Sequence, residues 1–158
     1  MAASKLPFFK IRSVIYKDLK KIFEIELSVF KKDAYPFSFL SLLYYLNRAT
    51  FFVAVDNKNE DEVHGYIVAN VSLKKRLGHI ISFAVKTSSQ RKGIGTALLK
   101  KIETILKKIN IQEIFLEVRF SNITAITLYE REGFKRKTIS KNYYEDGEDA
   151  LVMVKQIS

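Results

Sequence analysis

The chain has 158 residues, a hydrophobic share of 47%, a formal net charge of +10 and no cysteine. This is a globular composition, and the lack of thiols excludes disulfide bonds, thiolate zinc sites and cysteine nucleophiles. No apolar run reaches the roughly 18 residues that a membrane span needs, and the start MAASKLPFFK is too short and polar for a signal peptide, so a cytoplasmic protein is expected.

The first half of the chain contains two helical patterns and four strand patterns. Tyr16–Phe30 has apolar residues at three- and four-residue steps, which predicts a helix. After Pro36 a second helix is predicted over Ser38–Leu46, with Ser38 as its N-cap. The predicted strands are Phe8–Arg12, Thr50–Asp56, Glu62–Ser72 and Gly78–Val85. The last three are expected to form an antiparallel meander.

The second half adds two helices and three strands. Ile94–Ile109 is predicted to be helical, and Asn122 is predicted to cap a helix that stops at Gly133. The buried stripe of the first of these helices comprises Ile94, Ala97, Leu98, Ile102, Ile105, Leu106 and Ile109. The strands are Glu113–Arg119, Phe134–Ile139 and Ala150–Ile157. We therefore predict one α+β domain over residues 1–158, with a central, mixed, mostly antiparallel sheet and about four flanking helices.

A glycine-containing turn, SSQRKGIG, lies between the meander and the next helix. Its spacing differs from that of a nucleotide P-loop. A dinucleotide-binding turn needs a small residue where Leu98 stands. In a third interpretation, Gly93 and Gly95 let a pyrophosphate approach the backbone at a helix N-terminus, and Arg91 and Lys92 add positive charge. A plain glycine turn is the alternative from these residues alone.

Several stretches together resemble the GNAT family of acetyl-CoA-dependent N-acetyltransferases. The turn Gln90–Gly95 is similar to that family's pyrophosphate loop, and GHIISFAVKTSSQRKGIG to its cofactor-binding strand and loop. LEVRFSNITAITLYEREGF resembles the strand and helix of protein N-terminal acetyltransferases, and NYYEDGEDALVM resembles their C-terminal substrate hairpin. These stretches cover about half of the chain in the family's order. The most similar subgroup is that of the RimI-like, archaeal and NatA-type enzymes.

The resemblance implies direct attack of an amine on the thioester in a ternary complex. It assigns Glu117 as the general base, His79 as its assistant and Tyr129 as the general acid for the leaving thiolate. The pKa of an α-amine is about 7.7–8 and that of lysine about 10.4, so a modest base suffices for an N-terminus. His64 has no counterpart in the family and is expected to be structural. Neither histidine has the neighbours that a metal site needs.

Two larger sets of residues follow from the same resemblance. The cofactor set comprises Phe83, Ala84, Val85, Gln90, Arg91, Lys92, Gly93, Ile94, Gly95, Thr96, Asn122, Ala125 and Tyr129. Within this set, a backbone N–H near Val85 is expected to polarise the thioester carbonyl. The set that holds the peptide comprises Asp33, Tyr35, Pro36, Phe37, Tyr143 and Tyr144. Asp33 stands where an archaeal enzyme has a glutamate that influences specificity.

The resemblance therefore implies acetylation of the α-amine of protein N-termini, with association to a ribosome or an auxiliary subunit as a further expectation. A lysine or small-molecule amine acetyltransferase is the alternative within the class, since a fold does not decide a substrate. The hairpin YYEDGEDA favours peptides, because it should close the groove around an N-terminus. A basic nucleic-acid- or ribosome-binding module is the alternative from another class, and the charge of +10 supports it. Its basic residues are scattered, however, so no specific nucleic acid and no membrane partner is expected.

Overall fold

The computed structural model describes residues 6–158, in which seven strands and four α-helices follow the predicted order. The strands are β1 (Phe9–Ser13), β2 (Phe51–Asp56), β3 (Val63–Ser72), β4 (Leu77–Val85), β5 (Glu113–Arg119), β6 (Lys135–Ser140) and β7 (Ala150–Gln156). The helices are α1 (Leu19–Phe30), α2 (Phe37–Leu46), α3 (Ile94–Lys108) and α4 (Ile123–Arg131). Within residues 6–158, no helix is both long and apolar enough to cross a membrane.

The strands form one mixed sheet in the order β1-β2-β3-β4-β5-β7-β6. Antiparallel pairs join β1 to β2, β2 to β3, β5 to β7 and β6 to β7, whereas β4 and β5 run parallel. A parallel pair needs a long crossover connection, and α3 lies in this connection. β1 and β6 are the edge strands. The predicted α+β fold with a mixed, mostly antiparallel sheet is confirmed.

The described chain divides into two compact units. The first unit comprises the described residues up to Val68 together with Ser82–Leu98, and the second comprises Ala69–Ile81 and Leu99–Ser158. The boundary therefore falls within β3, β4 and α3, which contribute residues to both units. That residues 1–158 form a single domain stays a prediction.

Each unit buries apolar side chains according to the period of its elements. In the first unit, β2 is buried from Phe51 to Val55, which accounts for its continuous apolar run. In the second unit, β5 alternates, with Ile114, Leu116 and Val118 buried and the residues between them partly exposed. Because it lies between two buried positions, Glu117 faces the opposite side of the strand from the buried set.

Two helix ends differ from the prediction. Ser38 is not the N-cap of α2, because the helix begins at Phe37 and Pro36 occupies the cap position. No side chain caps this end; instead, the carbonyl of Pro36 accepts the N–H of Leu40 at 3.2 Å. The preceding helix also starts later than predicted, since Tyr16–Asp18 forms a single 3₁₀ turn before α1.

In the predicted stripe of α3, Ile94, Leu98, Ile102 and Leu106 are buried and Ala97 and Ile105 are partly exposed, but the prediction is wrong at its last member. α3 ends at Lys108, and Ile109 is 41% exposed. The chain then turns through Asn110, which has a φ of 62°, and the N–H of Ile111 donates to the carbonyl of Leu106 at 3.0 Å. This turn buries Ile111 in place of Ile109.

Candidate active site

His79 and Glu117 form a hydrogen-bonded pair in the second unit. The parallel register of β4 and β5 places His79 opposite Phe115, two residues before Glu117 on the same face. Nε2 of His79 lies 2.7 Å from Oε2 of Glu117. With the carboxylate as acceptor, the ring N–H donates. The imidazole stacks on Phe115 with ring centroids 4.2 Å apart and planes inclined by 5°. The stacking and the hydrogen bond together fix the ring's orientation.

This pair is accessible but partly shielded from water. The side chain of His79 is 31% exposed and that of Glu117 is 18% exposed. A carboxylate in such a position can accept a proton from an incoming amine, and a hydrogen-bonded imidazole can share the proton. The pair therefore has the chemistry of a general base.

Two tyrosines of the C-terminal hairpin belong to the same unit. The rings of Tyr143 and Tyr144 meet edge to face with centroids 5.0 Å apart. Burial raises the pKa of the Tyr143 phenol, and the carboxylate of Glu117 raises it further. The structure thus brings Tyr143 within electrostatic range of the Glu117 carboxylate.

Arg119 holds this hairpin and was not identified from the sequence. Its Nη1 donates to Asp146 Oδ2 at 3.0 Å and to Glu148 Oε1 at 2.8 Å. Its guanidinium lies over the ring of Tyr144, 4.1 Å from the centroid. Strand alternation places Arg119 on the same face as Glu117, and the acidic turn YEDGED follows in the chain. These two signals together could have predicted the ion pairs.

Tyr129 is a buried phenol on α4. It is 8% exposed, and its ring lies 5.7 Å from that of Phe134. Burial raises the pKa of Tyr129 well above its ordinary value of about 10, and the electrostatic effect of Tyr144 adds to the rise. The hydroxyl is therefore protonated at neutral pH. At the start of the same helix, Asn122 Oδ1 accepts the N–H of Ala125 at 3.1 Å, so the predicted N-cap is confirmed.

The glycine turn lies in the first unit, between β4 and α3. Gln90 Nε2 donates to the carbonyl of Val85 at 3.1 Å, which ties the turn to the end of β4. Arg91 has a φ of 60° and Gly93 a φ of 85°, so the backbone twice adopts the left-handed region before Ile94 starts the helix. A Cβ built on Gly93 would meet no heavy atom within 4 Å. The turn thus leaves room for a ligand.

The electrostatics of this turn fit an anion. Arg91, Lys92 and Gly93 are all exposed. The first N–H groups of a helix lack partners within the helix, and the helix dipole adds about half a positive charge at this end. A phosphate group therefore finds both charge and backbone donors here.

His64 is a buried residue of the first unit, and that its role is structural stays a prediction. It is 5% exposed, and its Nδ1 lies 2.8 Å from Ser89 Oγ, at the start of the loop that leads into the glycine turn. Its Nε2 lies 3.7 Å from the carboxylate of Asp56. Over residues 6–158, no group of three side chains of the metal-binding types lies close enough to hold an ion.

The segment predicted to hold the peptide connects α1 and α2, also in the first unit. The ring of Tyr35 lies 4.6 Å from that of Phe39, and the ring of Phe37 lies 5.9 Å from that of Phe23. The backbone N–H of Tyr35 donates to Oε1 of a buried carboxyl group, Glu26, at 3.0 Å. The remaining members of the set are partly exposed Asp33, at the end of the 3₁₀ turn Lys31–Asp33, and exposed Pro36.

Comparison with known proteins identifies the family. Residues 15–134 match the model of the Acetyltransferase (GNAT) family. The chain is 41% identical to an uncharacterised N-acetyltransferase of Methanocaldococcus jannaschii, over 92% of this chain and 90% of that protein. It is 36% identical to an N-alpha-acetyltransferase of Sulfurisphaera tokodaii, over 96% and 95% of the two chains.

A solved structure agrees with this assignment. Ard1 from Thermoplasma volcanium superimposes with a TM-score of 0.87 at 26% identity, over 96% of this chain and 99% of that one. The predicted resemblance is thus confirmed by a family model, by curated relatives and by a fold comparison. The chain belongs to the acetyltransferase (GNAT) family and is an acetyl-CoA-dependent N-acetyltransferase.

Proposed function

We propose that this enzyme acetylates the α-amino group at the N-terminus of proteins. The observation that carries the proposal is the His79–Glu117 pair, with Tyr143 of the C-terminal hairpin within electrostatic range of the Glu117 carboxylate. The name of the Sulfurisphaera relative, an N-alpha-acetyltransferase, supports it. An α-amine has a pKa of about 7.7–8, so a carboxylate–imidazole pair can deprotonate it near neutral pH.

The residues of the glycine turn fit acetyl-CoA. Its pyrophosphate would lie against the exposed Gly93 and the first turn of α3, with Arg91 and Lys92 supplying positive charge. Gln90, which holds the turn to β4, would keep this surface in place. When bound, acetyl-CoA supplies an acetyl thioester that a neutral amine can attack without an acyl-enzyme.

The proton steps fall to residues of the second unit. Glu117 accepts the proton that the substrate ammonium must lose, and the His79 N–H keeps this carboxylate oriented and shares the proton. When acetyl-CoA is bound, Tyr129 would donate its hydroxyl hydrogen to the sulfur that leaves. The attacking nitrogen loses a second proton after the carbon–nitrogen bond has formed, and this proton passes to water. Water also takes the proton from Glu117 and returns one to Tyr129. That a backbone N–H near Val85 polarises the carbonyl stays a prediction.

Gly93 in the glycine turn can be tested by substitution, with Gly147 of the hairpin turn as its control. Gly93→Ala forces a side chain into a backbone with φ of 85° at the proposed phosphate surface, so we expect KM for acetyl-CoA to rise about tenfold or more. Gly147 has nearly the same φ, 88°, and equally open surroundings, but lies in the hairpin turn. Gly147→Ala should therefore cost similar stability, about 1 kcal/mol. Equal acetyl-CoA KM values for the two variants would contradict the phosphate assignment.

The α-amine assignment is tested with a panel of paired peptides. One member of each pair has a free N-terminus and no lysine; the other has a blocked N-terminus and one internal lysine. We expect acetyl transfer to the free N-termini, measured by mass spectrometry over a range of peptide concentrations. If the blocked peptides were acetylated as fast as the free ones, the α-amine proposal would be contradicted and the lysine alternative favoured.

A binding measurement addresses the alternative from another class. Acetyl-CoA that binds only the folded state raises the melting temperature as its concentration increases. A nucleic-acid-binding module would instead bind RNA or DNA with an affinity that falls steeply with salt, without stabilisation by acetyl-CoA. Association with a ribosome or an auxiliary subunit stays a prediction.

A further inference from the structure

A buried acid on α1 connects three other parts of the first unit. Glu26 is 1% exposed and lies one turn after Ile22, on the apolar face of the helix. Its Oε1 accepts the backbone N–H of Tyr35 at 3.0 Å, and its Oε2 accepts the hydroxyl of Ser82 at 2.9 Å. The hydroxyl of Tyr66 also donates to Oε2 and lies 3.0 Å from Ser82 Oγ.

An acid at this position is costly if it serves packing alone. Taking a carboxyl group out of water needs compensating hydrogen bonds, and an apolar residue of similar size would often stabilise a core as well or better. Burial raises the pKa of Glu26, while the hydrogen bonds from Tyr35 and Ser82 oppose the rise. The side chain is thus held by three donors from three different elements, β3, β4 and the segment before α2.

One of these donors lies in the segment expected to hold the acceptor peptide. The N–H of Tyr35 belongs to a backbone stretch outside any helix or strand, and the next residue is the N-cap Pro36. The rings of Tyr35 and Phe37 contact Phe39 and Phe23 on the flanking helices. Ring contacts restrain the side chains, but the bond to Glu26 fixes the backbone to the sheet.

We propose that Glu26 is a positioning residue that sets the conformation of the segment Tyr35–Phe37 and thereby the affinity and preference for the first residues of the acceptor. This inference rests on the proposed function and on the expectation, from the family resemblance, that the acceptor peptide lies against that segment. It assigns Glu26 no contact with the substrate. Its effect passes through the Tyr35 backbone, whose position determines where both aromatic side chains stand.

Glu26→Met tests the inference, because methionine keeps the length of the side chain but has no oxygen to accept the Tyr35 N–H. We expect KM for the acceptor to rise about tenfold and the preference between peptides that differ in the first residue to weaken. KM for acetyl-CoA should stay within about twofold of wild type, since the glycine turn makes no bond to Glu26. Glu26→Gln should restore the wild-type pattern, because its amide accepts from Tyr35 and donates to the hydroxyls.

Asp18 offers a matched control in the same unit. It is 3% exposed, accepts the backbone N–H of Ile15 at 2.9 Å and pairs with Arg12 at 2.7 Å. Asp18→Leu therefore removes a buried carboxylate of comparable bonding away from the Tyr35 segment. It should lower the melting temperature without changing the acceptor preference. An acceptor KM and preference in Glu26→Met equal to those of wild type, or a change matched by Asp18→Leu, would overturn the inference.

A second variant and a fixed order of measurements accompany Glu26→Met. If Glu26→Met is too unstable to assay, Glu26→Asp keeps a carboxylate but is one methylene too short for the bond to Tyr35, and the same changes are expected. Wild-type rates on the paired peptides decide the proposed function first. The variants are then compared on whichever amine the wild type accepts, so a failure of the α-amine proposal and a failure of the Glu26 inference give different results.

Discussion

Tyr129→Phe should lower kcat by about 10²–10⁴ while leaving KM for acetyl-CoA within a few-fold of wild type. The substitution removes one oxygen from a side chain that is 8% exposed and keeps the ring against Phe134. What is lost is the hydrogen that the leaving sulfur would receive. Steady-state kinetics at saturating acetyl-CoA measure the effect directly.

The raised pKa of Tyr129 makes a further prediction for the pH profile. Because burial keeps the phenol protonated above its ordinary pKa of about 10, its ionisation should cause no loss of wild-type kcat between pH 7 and about 10. Tyr45→Phe, at a side chain 62% exposed, serves as the control and should leave kcat unchanged. If Tyr129→Phe keeps near wild-type turnover across this pH series, Tyr129 is not the acid.

The raised pKa of Tyr129 also makes the stability of the fold depend on pH, and this contribution decreases as the pH rises. As pH rises, the unfolded chain gives up the Tyr129 proton first, at about pH 10, while the folded chain retains it. The contribution of the neutral phenol to stability is therefore complete below about pH 10 and declines above it. The difference in unfolding free energy between wild type and Tyr129→Phe should shrink as urea denaturation is repeated at higher pH.

Glu117→Gln should lower kcat by about 10²–10³, somewhat less than the loss at Tyr129, because His79 can still accept a proton. The amide keeps the size of the side chain and can accept the His79 N–H, so the local structure should persist. A double-mutant cycle with His79→Ala measures whether the two act as a unit. We expect the double variant to lose clearly more turnover than Glu117→Gln alone, because it also removes the imidazole that can still accept a proton.

Glu113 provides the matched control for this experiment. It lies on the same strand and face, with a side chain 24% exposed against 18% for Glu117, and interacts with Gln156 and Lys137. Glu113→Gln should leave kcat within about twofold of wild type, because surface ion pairs contribute little. Two glutamine variants with the same turnover would refute the role of Glu117 as base.

The sequence predicted the elements well because their hydrophobic periods are clear. The ordering of the elements, the parallel β4–β5 pair and the capping of α4 by Asn122 follow from period changes and helix signals. The errors lie at the start of α2 and at the end of α3. Pro36 occupies the N-cap position of α2 in place of Ser38, and the turn at Asn110 replaces Ile109 by Ile111 in the core.

Some residues of the candidate site could be predicted from the alternation of a strand or from a family pattern. Glu117 lies opposite the buried face of β5, and parallel pairing brings His79 beside it. Glu26 was missed because its partners lie far along the chain, whereas Arg119 was missed although strand alternation and the acidic turn YEDGED indicate its ion pairs. The carboxyl group of Glu26 accepts hydrogen bonds from Tyr66 and Ser82, which follow it by 40 and 56 residues. The reason for an acid on the apolar face of α1 is therefore visible only in the folded structure.

Basic side chains lie on both edge strands of the sheet, β1 and β6. Exposed edges offer unpaired backbone groups with which strands of other molecules can pair, and lysine, arginine and bulges oppose such aggregation. β6 presents the exposed Lys135, Arg136 and Lys137 and has an irregular register after Arg136. On the other edge, β1 carries Lys10 and Arg12, which form ion pairs with Glu60 and Asp18. Basic side chains and an irregular register at a sheet edge are features that oppose pairing with another copy edge to edge.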